Sequence, residues 1–74
     1  KLNLSNNKIS NLSFLKSLTN LESLNVSNNR ISSLDELENL QANKMLKKLN
    51  LTLNPIVYET EYLNVLGNHL RFSF

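Results

Sequence analysis

Residues 21–31 read Leu21-Glu22-Ser23-Leu24-Asn25-Val26-Ser27-Asn28-Asn29-Arg30-Ile31. Leu24 and Val26 alternate with Ser23, Asn25 and Ser27, the period of two expected of a short strand with one apolar and one polar face. Asn28-Asn29 interrupt the strand, and Ile31 restores an apolar position beyond the turn. The pattern recurs on both sides. Residues 1–22 laid over 23–44 give ten identities: Leu2/Leu24, Asn3/Asn25, Ser5/Ser27, Asn6/Asn28, Asn7/Asn29, Ile9/Ile31, Ser10/Ser32, Leu12/Leu34, Leu15/Leu37 and Leu18/Leu40. A third copy is offset by 25 residues, with Leu49, Asn50, Leu51, Thr52, Asn54 and Ile56 opposite Leu24, Asn25, Val26, Ser27, Asn29 and Ile31. The three extra residues lie between Leu40 and Leu46, where Gln41-Ala42-Asn43-Lys44-Met45 replaces Thr19-Asn20.

The repetition accounts for an unusual composition of 17 Leu and 14 Asn among 74 residues. A chain this short holds one domain at most and buries only about 60% of its unfolded surface, which excludes a large enzyme. Eight Lys+Arg against six Asp+Glu give a net charge of +2, scattered without a basic block, so nothing demands nucleic acid. No Cys is present, hence no disulfide framework and no cysteine metal site, and the expected setting is intracellular. No run approaches the roughly 18 apolar residues that span a bilayer, and Lys1-Leu2-Asn3-Leu4-Ser5-Asn6-Asn7-Lys8 lacks the organisation of a signal peptide. No membrane association is expected.

A fixed period of this length marks a stacked array of structural repeats. The unit L-x-x-L-x-L-x-x-N-x-I, present whole in Leu21, Leu24, Val26, Asn29 and Ile31, resembles the leucine-rich repeat. The resemblance implies an α/β solenoid in which each coil supplies one short parallel strand to a concave face and a 3₁₀ or short helical return segment. Ile9, Leu12, Leu15 and Leu18, like Ile31, Leu34, Leu37 and Leu40, recur every three residues, which suits 3₁₀ turns and also allows a short α-helix. Asp35-Glu36 after Ser33, together with the three-residue extension, make residues 34–44 the better α-helix candidate. The chain divides into repeats near 1–20, 21–45 and 46–57, followed by a cap over 58–74.

That cap is expected to be helical, because Tyr58, Tyr62, Val65, Leu66 and His69 follow helical spacing before Gly67-Asn68. Asn54, Pro55, Ile56, Tyr62, Val65, Leu66 and Leu70 resemble the C-terminal cap of the short, 22-residue, phosphatase-one-regulator-like subclass. The Leu-Asp that usually ends such a cap is absent from Phe72-Ser73-Phe74. Lys1-Leu2-Asn3-Leu4 already lies within a strand, so Leu2, Leu4, Ile9 and Leu12 are expected to be partly uncovered. The chain is accordingly read as part of a longer array, with its open end covered by further repeats or another chain.

Asn7, Asn29 and Asn54 occupy the same turn in successive coils, where a side-chain amide can satisfy backbone groups that leave the strand ladder. They are structural candidates, with Pro55. The outward strand positions form columns: Lys1, Ser23 and Lys48; Asn3, Asn25 and Asn50; Ser5, Ser27 and Thr52; Asn6, Asn28 and Leu53. This polar, nearly uncharged face with one apolar member suits docking of a helix or loop of another protein. Duplication alone would also repeat these residues. Four N-x-S/T triplets, at Asn3, Asn11, Asn25 and Asn50, read as coincidence, since glycans on three of them would block that face.

Catalysis finds no support. His69 is the only His and Asp35 the only Asp, on return segments of different coils, and the chain has one Gly and no cluster with metal-ligand spacing. No cofactor is expected. Lys44, Lys47 and Lys48 form a small basic cluster without the interleaved aromatics of a single-strand RNA platform. The resemblance implies a protein-binding module or adaptor, with relatives among phosphatase-one regulators, dynein light chains and other ciliary or cytoskeletal adaptors. The alternative is a ribonucleoprotein adaptor resembling the spliceosomal A-prime protein, in which nucleic acid is engaged at most indirectly. A weaker alternative is a bacterial surface adhesion repeat of the internalin type, for which the Asn-Pro-Ile cap is not expected.

Overall fold

A computed structural model describes residues 1–59 of the chain. Three short strands, β1 (Leu2–Asn3), β2 (Ser23–Asn25) and β3 (Lys48–Asn50), form a parallel sheet in chain order. The register pairs Leu2 with Leu24, Leu24 with Leu49, and Asn3 with Asn25 and then Asn50. These are the 22- and 25-residue offsets of the repeat, so the inserted residues are absorbed outside the sheet. Pairing continues past the strands, through Leu4 N–H to Asn25 C=O at 2.7 Å and Val26 N–H to Asn50 C=O at 3.0 Å.

Each strand is followed by a turn and a 3₁₀ segment, at Ser13–Lys16, Leu34–Ala42 and Pro55–Tyr58. The second is not the α-helix expected over residues 34–44. Its leucines fall every third residue, and a 3₁₀ helix eclipses positions i and i+3, which aligns Leu34, Leu37 and Leu40 on one side. An α-helix would rotate each successive leucine by about 60° off that line. Leu37 and Leu40 are fully buried and Leu34 half-buried. Ser33 caps the segment, its Oγ accepting the Asp35 N–H at 3.2 Å.

Leu24, Val26, Leu49 and Leu51 share one core with Leu12, Leu15, Ile31, Leu37, Leu40, Leu46 and Ile56. Leu2, Leu4 and Ile9 are half-buried as expected, whereas Leu12 has no exposed surface. The first and second 3₁₀ segments pack side by side. Glu36 fastens them there, its Oε1 accepting the Leu12 N–H at 2.8 Å, and this holds Leu12 beneath the longer second segment.

The turn asparagines bond to backbone groups where the chain leaves each strand. Asn29 Oδ1 accepts the Ile9 N–H at 3.0 Å, while Nδ2 donates to the carbonyls of Val26, Ser27 and, in the preceding coil, Leu4. Asn54 repeats this one coil on, accepting the Ile31 N–H at 3.0 Å and donating to Val26, Leu51 and Thr52. Asn7 bonds only within its own coil, to the carbonyls of Leu4 and Ser5. Pro55 opens the third 3₁₀ segment at a position where a missing N–H costs nothing. The expected capping helix, with Tyr62, Val65, Leu66, His69 and Leu70, lies outside the described residues; Tyr58, its first member, closes a 3₁₀ turn.

Candidate partner-docking face

The sheet register places Asn3, Asn25 and Asn50 side by side on the outward face. All three are held in one way. Each Oδ1 accepts the backbone N–H two residues on, from Ser5, Ser27 and Thr52 respectively, every one at 3.0 Å. This local turn is what asparagine favours where a strand ends, because its short side chain mimics a backbone carbonyl. Ser5 Oγ and Thr52 Oγ1 add second donors to the same oxygens at 2.7 Å. Asn11 and Ser13 form the same pair at the first 3₁₀ segment, so the four N-x-S/T triplets share a conformational cause.

This bonding divides the amide functionally. The oxygens of Asn3, Asn25 and Asn50 are occupied by their own backbone, while their Nδ2 groups make no hydrogen bond within the described residues. No buried side-chain nitrogen or oxygen there lacks a partner, so these donors stand in solvent. The expected docking face is therefore a column of donors. Ser5 and Thr52 contribute less than their exposure suggests, since their hydroxyl protons are already directed at asparagine.

Asn6, Asn28 and Leu53 do align, but in the turn beyond the strands. All three have positive φ, at 62°, 54° and 60°. Asparagine tolerates this left-handed region, and Asn28 Nδ2 donates to Asn6 Oδ1 at 2.7 Å, so the first two members support each other. Leu53 has neither advantage. It adopts a conformation costing roughly 1–2 kcal/mol for an L-residue with a Cβ, and it is 70% exposed. Strain combined with exposure sets Leu53 apart from the two asparagines of its column and makes it the candidate apolar anchor of the face.

Charge is distributed unevenly around this face. Lys1, Lys47 and Lys48 border a depression of about 390 Å³ at the entry to the strands, with Glu22 as its one acid. Ser23 and Lys48 also line a second depression over β2 and β3, which contains Asn25, Asn50 and Thr52. Asp35, Glu36 and Glu38 sit instead on the second return segment. The lysines beside the outward sheet face thus come from the first and third coils, while the second coil carries three of its four acids on the return segment.

Two polar residues escaped the reading of the sequence. Asn43, in the insertion, has no exposed surface; its Nδ2 donates to the Leu18 carbonyl of the preceding coil, and its Oδ1 accepts the Met45 N–H at 2.9 Å. It occurs in one repeat only, so no column reveals it. Glu36 reads as a helix-start acid and acts as a tie between coils. Among the described residues no group of three or more His, Cys, Asp or Glu could hold a metal ion, and no helix is long and apolar enough to cross a membrane. His69 lies outside them.

The repeated strand, the buried turn asparagine and the 3₁₀ return agree with comparison at the level of sequence families. A family model described as Leucine Rich repeats (2 copies) matches residues 1–71, and the chain belongs to the leucine-rich repeat family. Such repeats are in general protein–protein interaction modules rather than catalysts. No curated protein matches the chain.

Proposed function

We propose that the chain is a protein-docking module whose outward sheet face receives a segment of a partner protein. One observation carries the reading: three amide donors in register across the sheet, flanked on one side by lysines and on the other by an exposed, strained leucine. Such a surface offers oriented polar contacts around an apolar anchor, the composition from which specific interfaces are built. Ser23, Asn25, Asn50, Lys48 and Leu53 form its centre, with Asn3 and Lys1 extending it. The role is that of an adaptor or regulatory subunit. An intracellular setting is supported by the resemblance of Asn54-Pro55-Ile56 to the cap of the phosphatase-one-regulator-like subclass.

The test places a photo-crosslinking residue at position 48 on the sheet face or at position 38 on the return segment. Irradiation in cell extract is expected to give protein adducts from position 48 that disappear on Leu53→Asp. Equal adducts from both positions, or adducts indifferent to Leu53→Asp, would refute docking on this face. The ribonucleoprotein alternative draws on the Lys1, Lys47 and Lys48 edge, and it predicts instead RNA adducts whose yield falls steeply with salt.

A further inference from the structure

The chemistry of the face, taken further than the docking reading on which it rests, narrows the partner. We infer that the sheet face binds an α-helix of a partner protein carrying Asp or Glu on successive turns, with one apolar side chain at the end that meets Leu53. A free asparagine side chain offers a donor and an acceptor and selects little. Here the local turns draw all three carbonyl oxygens to their own backbone, with a second donor at Asn3 and Asn50, and leave all three N–H groups unbonded for a partner. A column with three unbonded donors is complementary to acceptors, and Lys1 and Lys48 in the neighbouring column add positive charge of the same preference. A carboxylate satisfies both.

Spacing selects the helix. Adjacent parallel strands lie about 4.8 Å apart, so the outer two amides of the column are separated by roughly 10 Å. An α-helix lying across the strands rises about 1.5 Å per residue, which places positions i, i+3 or i+4, and i+7 at intervals close to 5 Å and spans the same distance. An extended segment in that direction repeats a face every ~6.7 Å and falls out of step by the third contact. The turn column then fixes the end of the helix. Asn6 and Asn28 bond to each other, and Leu53, 70% exposed, offers an apolar surface beside the β3 end of the donor column. An amphipathic helix supplies the matching side chain, the usual manner in which helices seat on a receptive surface. Nucleic acid also carries acceptors, but it gains nothing from Leu53, and no aromatic residue stands in the four outward columns to stack its bases.

The experiment uses the full chain and four fluorescent probes: a helix-stabilised peptide with Glu at i, i+4 and i+7 and Leu on the flank of its last turn, its Lys-for-Glu and Gln-for-Glu counterparts, and a single-stranded RNA oligonucleotide. Anisotropy titrations are expected to rank the Glu peptide at least tenfold above the other three. The double variant Asn25→Asp, Asn50→Asp keeps the oxygens that accept from Ser27 and Thr52 while converting the donors to carboxylates. It is expected to lower affinity for the Glu peptide at least tenfold and to raise that for the Lys peptide. Lys48→Ala, which removes only an exposed amine, should weaken the Glu peptide severalfold and serves if the double variant does not fold. Glu and Lys peptides binding alike, a preference for RNA, or indifference to both variants would overturn the acidic-helix assignment. Should the Gln peptide bind equally well and still respond to Leu53→Asp, docking on this face stands and only the charge preference falls.

Discussion

The first and second coils carry the same residue at ten aligned positions, yet the structure treats them differently. Asn29 is buried and bonds to backbone groups of two coils, whereas Asn7, in the same turn, is exposed and bonds to one. Leu24 and Ile31 are fully enclosed, while Leu2 and Ile9 are half-buried. The residues match, so the difference comes from neighbours: among the described residues the second coil packs against coils on both sides and the first against one. What a repeat residue contributes is therefore set by stacking. Asn29 and Asn54 reach back along the array, each accepting an N–H from the turn before it, which makes the amide a fastener between coils rather than a device within one.

Truncating equivalent leucines in the two coils separates them most strongly. Leu24→Ala opens a cavity in an enclosed site and is expected to cost about 3 kcal/mol, within the range for buried leucines. Leu2→Ala, partly in water already, should cost about 1 kcal/mol. Denaturant melts of the two variants measure the gap directly, and equal losses would show that stacking does not set the contribution. The asparagines provide the next test. Asn54→Leu strands the Ile31 N–H and the Val26 and Leu51 carbonyls in the interior, and with ~1–3 kcal/mol per orphaned group some relaxation still leaves a loss of about 3 kcal/mol. Asn7→Leu should fall within about 0.5 kcal/mol of the parent, because water reaches the carbonyls it releases. A large effect at Asn7 would mean that the turn conformation itself, and not the bridge between coils, is what asparagine supplies.

Period made most of the fold legible. Leu2, Leu24 and Leu49 fall in register because strand pairing follows the repeat, and Asn29 and Asn54 were readable because one residue recurs where the chain must leave a strand. Features without a second copy were not readable in that way. Asn43 occupies an insertion that only one coil has, and its burial follows from where the longer return segment meets Leu18. Spacing of three in Leu34, Leu37 and Leu40 was visible, and the geometry chose 3₁₀ because that helix alone keeps all three in line. For the docking face, the columns could be drawn from sequence, but the division of each amide into an occupied oxygen and an available nitrogen depends on a turn two residues long.

The smallest predicted effect separates the turn columns most cleanly. Asn6 and Asn28 carry left-handed φ with a residue suited to it and a mutual hydrogen bond, and Leu53 carries the same φ with neither. Leu53→Asn should relieve the backbone and place an amide beside Asn28, for a gain of about 1 kcal/mol. In a domain of this size that raises Tm by roughly 4–8 °C. The same substitution removes the apolar anchor, so the variant is expected to melt higher and to lose the protein adducts formed from position 48. Stability and binding then move in opposite directions through one side chain, which a purely structural role for Leu53 would not produce. If Leu53→Asn melts lower than the parent, the leucine is packed for stability, and the third coil differs from the first two for reasons of folding rather than recognition.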